Sequence, residues 1–254
     1  MDKEKKLIDG LRGIIPSLHT PFCNQNKIDI PSLKNLIDHT IITGCSGMLV
    51  GAVAGENSSL SFEEKKMIIE ECSSYNKNRI PIIISCSAKN QKDRVALAKY
   101  AKEAGADWIL CQTPEKVSGS ELLQCFNEIA EAGPHNLMIQ DLSWTDNGMS
   151  DEDIMLLFEN INKFRALKIE VLNSGPKYSR ILEAANHQLH LSGGWAIMGM
   201  IEALNRGVHA FIPSTMEIIY NKIYKLFTEN KIEASRELFN QILPILSFTH
   251  QHID

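Results

Sequence analysis

Aromatic residues are sparse, at 7% of the 254-residue chain, and basic residues are outnumbered, 26 Lys and Arg against 31 Asp and Glu. A net charge of −5 withholds the basic face that general nucleic-acid binding requires, so no nucleic-acid partner is expected. No apolar run reaches the roughly 18–20 residues that cross a bilayer, which argues against a membrane span. The charged segment Met1 to Leu11 lacks the apolar stretch of a secretory signal, so the expected location is the cytoplasm. The 6 cysteines (Cys23, Cys45, Cys72, Cys86, Cys111, Cys125) contain no Cys-x-x-Cys pair, so they read as reduced thiols rather than zinc ligands or a disulfide framework. The 8 histidines include no His-Glu-x-x-His spacing. Neither a metal nor a cofactor is therefore expected. A Gly-x-Gly-x-x-Gly loop is missing after the first apolar run, which weighs against a doubly wound dinucleotide fold.

Short β-branched runs are plentiful, with helical patterns between them. The strand candidates are Gly13 to Leu18, Gly47 to Ala52, Ile80 to Cys86, Trp108 to Cys111, Asn136 to Asp141, Ala166 to Val171, Gln188 to Ser192 and Val208 to Pro213. Their scarcity of polar alternation suits strands buried on both faces of a parallel sheet. Pro31 opens a helical stretch that places Leu33, Leu36, Ile37 and Ile41 on one face, and Gly44 closes it. Ser61 with Glu64, Ser118 with Glu121, and Ser214 with Glu217 have capping-box spacing, and Gly105, Gly133 and Gly207 sit at C-cap positions. Repeated strand, helix and glycine predict a (β/α)8 TIM barrel, for which about 250 residues is the usual size. Residues 1–254 read as one barrel domain, in which 214–254 form the last barrel helix and a short C-terminal helical extension. The extra helix, about Ile232 to Phe248, is expected on the barrel flank or against another subunit, with a kink at Pro244.

Chemistry in such a barrel belongs at the C-terminal ends of the strands. Lys168 stands there, inside the apolar run Ala166-Leu167-Lys168-Ile169. Burial favours the neutral amine that imine formation requires, although a plain ion pair with Glu170 is an equal reading. Glu170, two positions on, shares the face of Lys168 by strand alternation.

The segment Gly13-Ile14-Ile15-Pro16-Ser17-Leu18-His19-Thr20-Pro21-Phe22 and the stretch Gly55-Glu56-Asn57-Ser58-Ser59-Leu60-Ser61 resemble the dihydrodipicolinate synthase / N-acetylneuraminate lyase family. Lys168 falls at that family's Schiff-base lysine, and Ser192-Gly193-Gly194 resembles its seventh-strand turn. The resemblance implies a (β/α)8 barrel with a C-terminal helical extension and assembly as a homo-oligomer, a dimer or tetramer. It also implies lyase or aldolase chemistry on a small-molecule 2-oxo acid or sugar-acid substrate through a lysine imine.

Departures from the family pattern imply a divergent member rather than a dihydrodipicolinate synthase proper. Val53-Ala54 replace the hydroxyl pair that holds the substrate carboxylate, leaving the backbone of Val53, Ala54 and Gly55 for that task. Gln140 replaces the proton-relay tyrosine and cannot exchange protons as a phenol does. The loop from Leu142 to Gly148 has no arginine, and the C-terminal extension is shorter by about a helix. Candidate catalytic residues are Lys168, Gln140, Asp141 and Glu170, with Asp141 read either as a base at the barrel mouth or as a turn aspartate. Candidate substrate-binding residues are Val53, Ala54, Gly55, Gly193, Gly194 and Lys177, the last for a distal carboxylate. Trp144 and Trp195 are candidates to line the pocket. Glu56 reads as a brace for its loop, and Thr20 as a candidate for the carboxylate. Two other functions fit less of the sequence: a ligand-binding relative without turnover, and a phosphate-binding barrel using Gly193-Gly194 and a helix start at Ser214.

Overall fold

All eight β-branched runs contribute strands to one parallel sheet in the computed structural model, which describes residues 8, 10–194 and 197–249. The strands are β1 (Gly13–Ile14), β2 (Met48–Val50), β3 (Ile82–Ser85), β4 (Trp108–Gln112), β5 (Asn136–Leu142), β6 (Phe164–Glu170), β7 (His190–Gly193) and β8 (Ala210–Phe211). They pair in the order β1-β8-β7-β6-β5-β4-β3-β2, and a bridge between Ser17 and Leu49 joins the two ends. The sheet is thus a closed barrel. Strands β1 and β8 are shorter than the apolar runs containing them. Pro16 and Pro213 have no N–H for a ladder, though their carbonyls accept bonds from Leu49 N (2.9 Å) and Ser17 N (2.7 Å).

Helices α1 (Ile30–Ile42), α2 (Phe62–Asn76), α3 (Gln91–Glu103), α4 (Gly119–Ala132), α5 (Asp151–Asn160), α6 (Ser174–Ala184), α7 (Met200–Asn205) and α8 (Glu217–Thr228) follow the strands in turn. Asp29 caps α1 through Ser32 N at 3.1 Å, and Ser61 and Glu64 cap α2 reciprocally. The other two expected capping boxes do not form. Ser118 occupies the N-cap of α4 without a side-chain bond, and Asp153 of α5 instead accepts from Gly119 N at 2.7 Å. Helix α8 starts only after Met216, which adopts φ 63°, so Ser214 is not its cap.

Strand alternation sorts the side chains into two layers. Met48, Val50, Ile82, Ile84, Leu137, Ile139, Leu167 and Ile169 pack outward in the core shared with the helices. Leu49, Ile83, Leu110, Met138 and Ala166 fill the barrel interior. Counting in steps of two from Met138 and Ala166 places Gln140, Lys168 and Glu170 on the inner face, and Asp141 on the outer one.

The last helix, α9 (Ile232–Thr249), packs against α8 and α7, and the Ser235 hydroxyl donates to the Ile223 carbonyl at 2.9 Å. Its far end does more than cover a flank. Ile245, Leu246 and Thr249 line the cavity at the barrel mouth. Pro244 sits within the helix one position before them, where it has no N–H to offer the Asn240 carbonyl.

Candidate active site

The inner face of β6 carries Ala166, Lys168 and Glu170 in order, rising from the barrel core towards the C-terminal end. Pairing places Gln140 of β5 beside Lys168 on one side and Ser192 of β7 beside it on the other. This layer opens into a cavity of about 590 Å³ lined by Lys168, Glu170, Val53, Ala54, Gly194 and Trp144, together with groups from the β8 loop, α8 and α9. Trp195, expected beside it, lies outside the described residues.

Lys168 and Glu170 are 5% and 8% exposed, and their side chains meet, Nζ to Oε2, at 2.8 Å. Gln140 Nε2 donates to the same Oε2 at 2.5 Å. The carboxylate therefore holds the lysine nitrogen while the amide holds the carboxylate. Gly194 makes this arrangement possible, because a Cβ there would collide with the Glu170 carboxyl group. Gly193 ends β7 one residue earlier, and its carbonyl accepts from Ile212 N at 2.9 Å. Only Gly194 of the glycine pair lines the cavity.

Val53 and Ala54 begin a short 3-10 turn at the rim. No described residue engages their backbone N–H groups, whereas that of Gly55 is taken by the Ala52 carbonyl at 3.0 Å. Gly55 is buried behind the rim, where its carbonyl accepts from the Thr20 hydroxyl at 2.7 Å. Thr20 and Gly55 thus brace the loop instead of facing the cavity. His19 lies within hydrogen-bonding distance of two carbonyls at the mouth, Ala54 O (3.1 Å) and Ser214 O (3.0 Å), and a neutral ring donates to one of them at a time. Glu56 closes the 3-10 turn with φ 57° and its N–H on the Val53 carbonyl at 3.0 Å.

Asp141 and Lys177 do not join this site. Asp141 points outward from β5 and is fully buried, and Lys177 Nζ donates to its Oδ2 at 2.6 Å. The same ammonium donates to the carbonyls of Asn147 (2.7 Å) and Met149 (2.6 Å), so it has no donor left for a substrate. Burial holds the Asp141 carboxyl above its usual value, opposed by Lys177 and by the Met149 N–H at 2.8 Å. Gly148, at φ 68°, leaves room for the carboxyl group, which a Cβ there would strike. The pair fastens the loop after β5 to α6. Lys177 is therefore neither a carboxylate clamp nor an exposed loop lysine.

Several cavity residues escaped the sequence reading. Ser17 lines the wall with a buried hydroxyl that has no hydrogen-bond partner among the described residues, and Ser192, beside Lys168 but outside the lining, carries a second such hydroxyl. Both fall on alternating strand positions, which is the signal that would have found them. Tyr220, Ile245 and Leu246 arrive from α8 and α9, where helical periodicity marked them only as core. The helix start needed for a phosphate grip at Ser214 is missing, and Gly194 faces a carboxylate, which repels phosphate. Among the described residues, no group of three or more His, Cys, Asp or Glu side chains is placed to hold a metal ion.

A parallel (β/α)8 barrel with a buried lysine and carboxylate at the C-terminal end of its sixth strand defines the class. The chain belongs to the Dihydrodipicolinate synthetase family, whose sequence model matches residues 10–252. It is 27% identical over 249 residues to a 4-hydroxy-tetrahydrodipicolinate synthase of Neisseria gonorrhoeae, covering 92% of this chain and 82% of that one. In fold it is similar to the 4-hydroxy-tetrahydrodipicolinate synthase of Methylacidiphilum fumariolicum, with TM-score 0.87 at 20% identity, covering 96% of this chain and 82% of the other. It is likewise similar to the N-acetylneuraminate lyase of Fusobacterium nucleatum, with TM-score 0.83 at 23% identity, covering 93% and 82%. Among the described residues no helix is long and apolar enough to cross a membrane.

Proposed function

We propose that the protein is a lysine-imine lyase that cleaves or forms a carbon–carbon bond next to a 2-oxo acid, as a divergent member of its family. The observation that carries this reading is the Lys168–Glu170 contact at 2.8 Å inside the cavity. Glu170 accepts a proton from the Lys168 ammonium, and the freed amine attacks the 2-oxo carbon. Glu170 then returns the proton to the carbinolamine hydroxyl, which leaves as water, and a protonated imine remains. In the cleavage direction the Glu170 carboxylate takes the proton of the C4 hydroxyl, the C3–C4 bond breaks, and its electron pair moves towards the imine nitrogen. An aldehyde departs and an enamine stays on Lys168. Protonation at C3 and hydrolysis by one water release the 2-oxo acid and restore the amine.

Gln140 acts in this scheme by orienting Glu170 through the 2.5 Å hydrogen bond, since an amide does not exchange protons near neutral pH. The N–H groups of Val53 and Ala54 are the donors proposed for the substrate carboxylate. Assembly as a homo-oligomer belongs to the same reading.

Release of pyruvate from a panel of 4-hydroxy-2-oxo acids tests the proposal. Turnover by the wild-type protein and its loss in Lys168→Ala support it. An imine adduct without release from any compound would leave a binding protein in place of an enzyme, and turnover that survives Lys168→Ala would overturn the mechanism.

A further inference from the structure

The cavity around Lys168 carries a charge and polarity pattern of its own. Among its described lining residues Lys168 is the sole cation, and Glu170 already neutralises it at 2.8 Å. A second carboxylate or a phosphate on the substrate would meet no cation, and the Glu170 carboxylate would repel it. Beyond the lysine the wall is built mostly by Leu142, Ile197, Ile212, Tyr220, Ile245 and Leu246, alongside the hydroxyl-bearing Ser17, Ser214, Thr215 and Thr249. A polyhydroxylated chain laid against the apolar side chains would lose hydrogen bonds to water that they do not replace. At about 590 Å³ the cavity is also far larger than pyruvate requires, and it falls within the usual range for small-molecule sites.

We infer that the site takes a monocarboxylic 2-oxo acid with an uncharged, predominantly apolar substituent, rather than a second acidic group or a sugar chain. The inference rests on the imine reading of Lys168 and adds to it the chemical class of the substrate. The 2-oxo acid end lies at Lys168, with the carboxylate towards the rim N–H groups and the buried Ser17 hydroxyl. That hydroxyl has no partner among the described residues, so its hydrogen-bonding capacity is unspent. The substituent lies against α8 and α9. The C-terminal helix α9 thus sets specificity, because Ile245 and Leu246 supply part of the apolar wall.

The test is the concentration dependence of borohydride-trapped adduct on the full-length protein with pyruvate, 2-oxohexanoate, 2-oxoglutarate and 2-oxogluconate. The expected result is half-saturation by 2-oxohexanoate at a concentration about tenfold or more below that of pyruvate, from the added apolar burial. 2-Oxoglutarate and 2-oxogluconate should require more than pyruvate does. Ile245 is half-exposed, so Ile245→Asp should fold and should pull the ratio of 2-oxohexanoate to pyruvate towards one. Adduct with pyruvate but no preference for 2-oxohexanoate would overturn the substrate class and leave the lysine chemistry standing. Preference for 2-oxoglutarate or the sugar acid would do the same. No adduct with any of the four would overturn both.

Discussion

Glu170 Oε2 lies 2.8 Å from Lys168 Nζ on the inner face of β6, and one amide, that of Gln140, fixes its position. The carboxylate stands where it can take the lysine's proton and later give one back. Glu170→Gln keeps the volume and a hydrogen-bonding end but removes proton exchange. Its adduct formation with pyruvate should slow by about 10²-fold or more. Rapid-quench trapping with borohydride measures the rate. An unchanged rate would remove Glu170 from the chemistry.

Gly194 is the residue that makes room for this carboxylate. Gly194→Ala should push Glu170 off Lys168 and cost about 1–3 kcal/mol from overpacking. Urea denaturation and the trapping rate should fall together. A variant with wild-type trapping would show that the Glu170 position is not critical.

Asp141 and Lys177 should behave in the opposite way. Breaking this buried pair with Lys177→Met strands a carboxylate among apolar groups and should cost about 3–5 kcal/mol. The double variant Asp141→Leu, Lys177→Met should recover part of that loss. In each variant, the protein that remains folded should still form the Lys168 adduct. Loss of trapping with intact stability would place Lys177 in substrate binding after all.

At the N-terminal end of the barrel, His190 and His209 stack with ring centroids 4.9 Å apart. Burial and the neighbouring His209 push His190 down to about 3, and burial with Arg12 pushes His209 down to about 4, from an ordinary 6.5. Above pH 6.5 both rings are neutral in the folded and unfolded chain alike. Below it the unfolded chain binds protons that the folded chain refuses. Stability should therefore fall as the pH drops, by up to about 1.4 kcal/mol per pH unit for each ring. The slope should flatten near pH 4 for His209 and near pH 3 for His190. Urea unfolding between pH 7.5 and 4.5 checks the fall. His190→Gln, which keeps a donor for the Leu11 carbonyl, should show a shallower dependence.

The barrel was legible because its strands are buried on both faces, so each left a continuous β-branched run. The Lys168–Glu170 pairing followed from the two-residue repeat of a strand. The same repeat rules out a shared face for Gln140 and Asp141, since adjacent strand residues point opposite ways. Asp141 ends its apolar run, and that position alone points to the mouth. Its partner Lys177 is 36 positions away, beyond the reach of any local pattern. The roles of Ser17, Tyr220 and α9 depended on tertiary packing. A helix that turns Ile245 and Leu246 into a cavity carries the same apolar spacing as one that buries them in a core.

The central claim is that Lys168 is the nucleophile, and tandem mass spectrometry of the protein reduced with borohydride in the presence of pyruvate tests it most directly. The account predicts one reduced pyruvate adduct per chain, located on Lys168 and missing from Lys168→Arg. An adduct on Lys177 or another lysine, or none on the folded protein, would contradict it.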